Sequence, residues 1–196
     1  MKLLIIYINY NFKMKNSIIS SVLTISILLF TNSCKKDDHN HSDHDSINRA
    51  IYELKSGTDT VSFSFNDADG DGGAAPVIIG GTLKTNKNYT GSIKLFTLHD
   101  GQYEELTSEI LAEGTKHQFF FTSSVAGIVV SYDDKDASNN PIGLFNKVQT
   151  GSAGSGVLKV TLKHEPNKSA AGVSGGDMTN AGGETDAEIS FPITVN

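Results

Sequence analysis

Leu158-Lys159-Val160-Thr161-Leu162-Lys163 and Glu188-Ile189-Ser190-Phe191-Pro192-Ile193-Thr194-Val195 decide the fold of this chain. In both runs apolar and polar residues alternate, which turns one face of an extended strand towards a core and the other towards water. Pro192 has no N–H to give a ladder, so the second run is expected at a sheet edge or with that position on the solvent side. The same period of two recurs at Val61-Ser62-Phe63-Ser64-Phe65. Further apolar, aromatic or β-branched runs lie at 51–55, 77–83, 89–98, 117–122 and 128–132, with a weaker one at 144–148. Gly80-Gly81 interrupts one of them and predicts a bulge or a close backbone approach. The glycine-rich segment 151–156 reads as a turn leading into a strand. A helical period shows only around 104–113, enough for a single turn. About nine short strands with turn signals between them predict an all-β domain over 51–196, an antiparallel β-sandwich of immunoglobulin-like kind. A small barrel is the alternative.

The segment ahead of that domain has a different character. Lys15 precedes an apolar run, Ile18 to Phe30, which has the length of a secretory signal and falls short of the roughly 20 residues a membrane span needs. Thr31-Asn32-Ser33 then leads to Cys34, the chain's one cysteine. This layout resembles a bacterial lipoprotein signal (1–33, with Met14 as the expected start), in which Cys34 is lipidated and becomes the first mature residue. Lys35-Lys36-Asp37-Asp38 resembles the acidic export tag of surface-exposed Bacteroidota lipoproteins. The resemblance implies a lipid anchor in the outer membrane, exposed at the cell surface. A lone cysteine also excludes an intramolecular disulfide or a cysteine-rich metal site.

Charge narrows the function classes. The whole chain carries 16 basic and 22 acidic residues. Three lysines precede Cys34 and no acidic residue does, so 13 basic against 22 acidic residues leave the mature chain near −9. That balance argues against nucleic acid as a partner. From 34 to 50 the chain is almost wholly polar and reads as a flexible tether. His39, His41 and His44 lie in it among aspartates, a donor set that suits modest, exchangeable capture of zinc, nickel or copper.

Other candidate ligands lie in the connections of the domain. Asp67, Asp69 and Asp71 alternate and are followed by glycine, the pattern in which hard oxygens turn towards one calcium ion. The twelfth position of that loop is Ile78 where an EF-hand needs Glu, so the candidate is a calcium loop of another kind or a bare acidic turn. If successive strands alternate in direction, the connections at 67–76, 99–116, 133–143 and 164–184 share one end of the sandwich. His99, His117 and His164 then share that end too, with Glu113 and Glu165 beside two of them in sequence. Three imidazoles and a carboxylate could hold zinc. The long glycine-bearing loop 166–183 is expected to be functional or mobile.

Several segments carry a wider resemblance. They are Val61 to Thr82, Glu113-Gly114-Thr115-Lys116-His117-Gln118-Phe119-Phe120-Phe121, Leu162-Lys163-His164-Glu165-Pro166-Asn167-Lys168 and Gly182-Gly183-Glu184-Thr185-Asp186. Together they resemble small Bacteroidota lipoproteins labelled as a type 1 periplasmic binding fold superfamily. The resemblance implies an association with TonB-dependent outer-membrane receptors and metal uptake. The label would imply two α/β lobes, whereas the strand pattern predicts an all-β domain. No nucleophile elbow, His-Glu-x-x-His motif or phosphate loop is present, so a binding protein is expected and not an enzyme. Two functions stay in view: a lipoprotein that binds zinc and serves an outer-membrane receptor, and a structural or adhesive sandwich whose acidic loops are held by calcium.

Overall fold

A computed structural model of the chain describes residues 46–70 and 72–196. The signal, Cys34, His39, His41, His44 and Asp71 lie outside the described residues. The strands are β1 (Arg49–Ser56), β2 (Asp59–Asn66), β3 (Val77–Ile79), β4 (Gly81–Leu83), β5 (Asn88–His99), β6 (Gln102–Glu105), β7 (His117–Ser123), β8 (Val129–Tyr132), β9 (Phe145–Gln149), β10 (Gly154–His164) and β11 (Glu184–Val195). One helix, α1 (Thr107–Ala112), and three short 3-10 turns complete the described residues. None of these helices is long and apolar enough to cross a membrane.

The strands form two sheets. The larger runs β3-β2-β1-β5-β9-β8, with β6 also on β5, and all its pairings are antiparallel. The smaller runs β4-β11-β10-β7, antiparallel except that β4 lies parallel to β11. The period-two runs set which face turns inward. Tyr52 and Leu54 of β1, Phe63 of β2, Ile93 and Leu95 of β5, Leu158 and Leu162 of β10, and Phe191 and Ile193 of β11 are all buried in one core between the sheets. Phe63 meets Phe191 edge to face across that gap, with centroids 5.7 Å apart. The fold is therefore all-β, with two antiparallel-rich sheets packed face to face.

Eleven strands stand where about nine are expected. The difference has local causes. Residues 77–83 form two strands in different sheets, because the chain crosses between them at Gly80. A Cβ there would lie 2.0 Å from the Pro192 carbonyl oxygen, so only glycine passes. The sequence's close-approach reading of this site is the one observed. Pro192 lies in an interior strand of the smaller sheet, next to the point where pairing with β4 begins at Ile193. The strand β6 reads as polar and helix-like (Gln-Tyr-Glu-Glu), yet it pairs with the end of β5 through a two-residue turn at Asp100 and Gly101. Both turn residues have positive φ, 49° and 76°. Finally, Gly154–Gly156 lie inside β10 and not in a turn. The Ser124 and Val125 side chains press against Gly156, where a Cβ would lie 2.3 Å from the Ser124 Oγ.

The long loop 165–183 lies over the outer face of the smaller sheet. Phe120, which points away from the main core, is buried there with Val173 and Ala181 as a second small cluster. Gln118 Nε2 donates to the Val173 carbonyl at 2.8 Å. Lys168 anchors the loop from the other side. Its side chain is 4 % exposed, and the ammonium donates to the Gly114 and Pro141 carbonyls and meets Asp136 at 2.9 Å. Burial pulls this ammonium below its ordinary range against the pull of Asp136. Asp136 in turn also accepts from Ser138 and Asn140. Removing one partner leaves the other buried and uncompensated, which costs about 3–5 kcal/mol. Lys168→Met is expected to lower unfolding stability by about that amount in urea. The double variant Lys168→Met/Asp136→Asn should recover part of the loss, whereas simple additivity would show that the two groups are not coupled.

Candidate functional site: the acidic end

The registers define an end of the molecule. Arg49 pairs with both Asn66 and Phe96, so the start of β1 and the ends of β2 and β5 coincide. His164 pairs with both His117 and Glu184, so the end of β10 and the starts of β7 and β11 coincide. A cleft of about 320 Å³ joins the two, walled by Asn48, Asp67 and Gly70 on one side and by Thr185, Asp186 and Glu188 on the other. Its lining contains three carboxylates and no lysine or arginine. The registers thus bring the starts or ends of the 67–76, 99–116 and 164–184 connections to one end as the sequence suggests, although β3 and β4, and β6 and β7, run in the same direction and do not alternate.

Within this end, two of the three histidines meet. His117 and His164 are cross-strand neighbours on β7 and β10, and their rings stack with centroids 5.0 Å apart and planes 22° apart. A bulge between Leu162 and Lys163 leaves Asp186 as the extra residue of β11. Bulges re-aim side chains, and here the Asp186 carboxylate comes to 3.7 Å from His117 Nε2. His117 Nδ1 lies 3.2 Å from the Glu113 carbonyl. Since a carbonyl only accepts, Nδ1 carries the proton and Nε2 is the basic nitrogen, on the Asp186 side. His99 is elsewhere: it is 71 % exposed at the β5–β6 turn, 3.7 Å from Asp100. Glu165 is exposed, at a positive φ of 49°, with its N–H donated to the Lys116 carbonyl.

The chemistry of the pair is that of ligands, but its present geometry is not a finished site. Parallel stacked rings direct their nitrogens side by side, while a shared metal needs them to converge. Among the described residues, no group of three or more His, Cys, Asp or Glu side chains is arranged to hold a metal ion.

The acidic loops satisfy themselves. Asp67 Oδ1 accepts from the Gly70 N–H at 3.0 Å, and Asp69 Oδ2 accepts from the Ala74 N–H at 2.7 Å. That second bond holds the exposed Asp69 carboxyl below its ordinary value. In the other loop Asp134 accepts from the Gly143 and Phe145 N–H groups. These aspartates act as turn-closing acceptors for backbone donors, a role that short acidic side chains fill without a cation.

Sequence reasoning missed two residues here. Asp186 enters through a bulge, and no local pattern marks a bulge in a strand that otherwise alternates. Lys168 sits in a Gly/Ser-rich loop, where a lysine is ordinarily solvated. No family model, curated protein or solved structure matches this chain.

The buried imidazole has a consequence for stability. Burial lowers the His117 pKa below its ordinary 6.5, against the pull of the Glu113 carbonyl and Asp186. Above that value the ring is neutral in both states and contributes no pH dependence. Below it the unfolded chain binds the proton more readily, so stability falls as the pH drops from about 6.5 towards the folded value. The urea midpoint is expected to fall between pH 7.5 and 5.5. In His117→Gln that slope should flatten, and an unchanged slope would assign the dependence to other groups.

Proposed function

We propose that this chain is a lipid-anchored outer-membrane lipoprotein, exposed at the cell surface, whose acidic end captures a divalent metal ion, zinc first. It serves as an accessory to outer-membrane uptake and not as an enzyme. One observation carries the reading: two imidazoles are brought into register, His117 lies 3.7 Å from the Asp186 carboxylate, and Asp186 lines a cleft whose charged lining is wholly acidic. A rotation of one ring would let His117, His164 and Asp186 face a common ion. The Glu113 carbonyl already selects the tautomer in which His117 Nε2 is the donor, the arrangement usual behind a metal-bound imidazole. The tether histidines, His39, His41 and His44, add a second, weaker donor set for the same ion. The resemblance to small Bacteroidota lipoproteins associated with TonB-dependent receptors supports the uptake role and names the partner class. We also take the sandwich to be immunoglobulin-like.

The second reading is a structural or adhesive lipoprotein whose acidic loops bind calcium. What favours it is the alternate spacing of Asp67, Asp69 and Asp71 in the sequence, in a loop whose Asp67 and Gly70 line the cleft. Isothermal titration of the full-length chain in detergent separates the two. Zinc is expected to bind, and replacing His39, His41 and His44 by alanine should remove only the weaker component. His164→Gln with Asp186→Asn should lower the remaining affinity by roughly 10–100-fold. Silence with zinc, together with a melting temperature that rises with calcium, would sink the metal-capture reading in favour of the other.

A further inference from the structure

The outer face of the larger sheet carries a groove that neither reading uses. Its origin is a mismatch of side-chain length. The middle strand, β5, turns the short side chains of Asn88, Thr90 and Ser92 outward. Its neighbours turn long ones to the same face: Glu53 and Lys55 on β1, and Phe145, Lys147 and Gln149 on β9. The registers align these in rows across the strands. Lys55 opposes Thr90, Thr90 opposes Lys147, and Lys147 opposes Ser131 of β8. Asn88 opposes Gln149, which opposes Val129, while Glu53 opposes Ser92, which opposes Phe145. The trough between the long rows has a volume of about 600 Å³.

The charge and the chemistry of the trough select its occupant. Its lining residues include two lysines and no carboxylate, on a chain that is acidic overall. Neighbouring strands lie about 4.8 Å apart, so Lys55 and Lys147, two strands apart, sit about 10 Å from one another across the trough. Each ammonium holds an exposed carboxylate at the rim, Glu53 at 2.8 Å for Lys55 and Asp133 for Lys147. Such exposed pairs are worth little and yield readily to a ligand anion. Between the lysines the floor offers hydroxyls and amides, from Thr90, Ser131, Asn88 and Gln149, which suit a ligand rich in hydroxyl groups. An exposed apolar surface borders the trough: Phe145 is 48 % exposed and Val129 58 %. A flat aromatic ring beside hydrogen-bonding groups accommodates the apolar face of a sugar ring. Nucleic acid fits poorly, because the carboxylates elsewhere on the chain repel a dense phosphate backbone, and no aromatic ladder is present for bases.

The groove also lies at the opposite end of the strands from the acidic cleft. Lys55 is at the end of β1, and the described chain enters at the start of β1. The acidic end is then distant by most of a strand, beyond the roughly 8 Å over which its charge is felt in physiological salt.

We propose that this groove binds an acidic oligosaccharide, a chain of uronic-acid sugars whose carboxylates meet Lys55 and Lys147 while one ring lies against Phe145. Affinity electrophoresis of the full-length chain tests it, with gels containing polygalacturonate, neutral dextran or polyglutamate. Polygalacturonate is expected to retard the chain, less so as salt is raised, and dextran is not. Lys55→Gln with Lys147→Gln should weaken the retardation roughly tenfold or more, since each lost charged contact is worth about a decade. Phe145→Ala should weaken it further. All three side chains are exposed, and unchanged thermal melting of the variants would show that the fold is intact. Absence of retardation by polygalacturonate overturns the proposal. So does equal retardation by polyglutamate, which would make the groove a site for acidic peptide, and so does full retention by the double lysine variant.

Discussion

The chain changes sheets at Gly80, and the rest of the sandwich depends on that passage being tight. The Pro192 carbonyl stands where a side chain would begin, so the backbone of β3 and β4 can lie against β11 only with hydrogen at that position. From there the register follows. β4 joins β11 in parallel, β11 pairs along its length with β10, and the inward residues of both sheets meet in one core. Phe63 and Phe191 face one another because the strands on either side of Gly80 are held in that relation. A bulkier residue would separate the sheets where they are most closely joined, and every aromatic contact across the gap would loosen with them.

Much of this was legible before any coordinates, because a half-buried strand writes its orientation into the sequence. Val61 to Phe65, Leu158 to Lys163 and Glu188 to Val195 alternate, and each turns inward the residues that the alternation selects. The direction of successive strands also placed the 67–76 and 164–184 connections at one end. Long-range relations were not legible. Nothing in Gln-Tyr-Glu-Glu shows that β6 will find the edge of β5, since its pairing comes from the turn at Asp100 and Gly101 and not from an apolar face. Glycines 154 and 156 carry the composition of a turn and are strand residues because Ser124 and Val125 crowd them. At the candidate site the register brought His117 and His164 together and left His99 out. Alternation fixes which end a residue occupies but not which sheet, nor how far apart two residues lie on that end. Asp186 was hidden for a related reason: a bulge shifts one residue against its neighbours, and it shows only in the register of β10 with β11.

The two ends of the molecule differ in chemistry although they share the same strands. At one end, short acidic side chains close turns by accepting from backbone N–H groups, and this concentrates negative charge around the cleft. At the other, long side chains on β1 and β9 flank short ones on β5, and the sheet surface is hollowed, its lysines paired with exposed carboxylates at the rim. Neither arrangement is needed to bury the core. The outward positions of a two-layer sandwich are free to vary, so the chemistry of such a domain is written on them and on its connections.

The parallel pairing of β4 with β11 ties residues 81–83 to residues 193–195, the last strand of the chain. The smaller sheet therefore cannot close until residues 193–195 are free to reach residues 81–83. Its early strand waits for a partner more than a hundred residues away, and contacts of such long range slow folding.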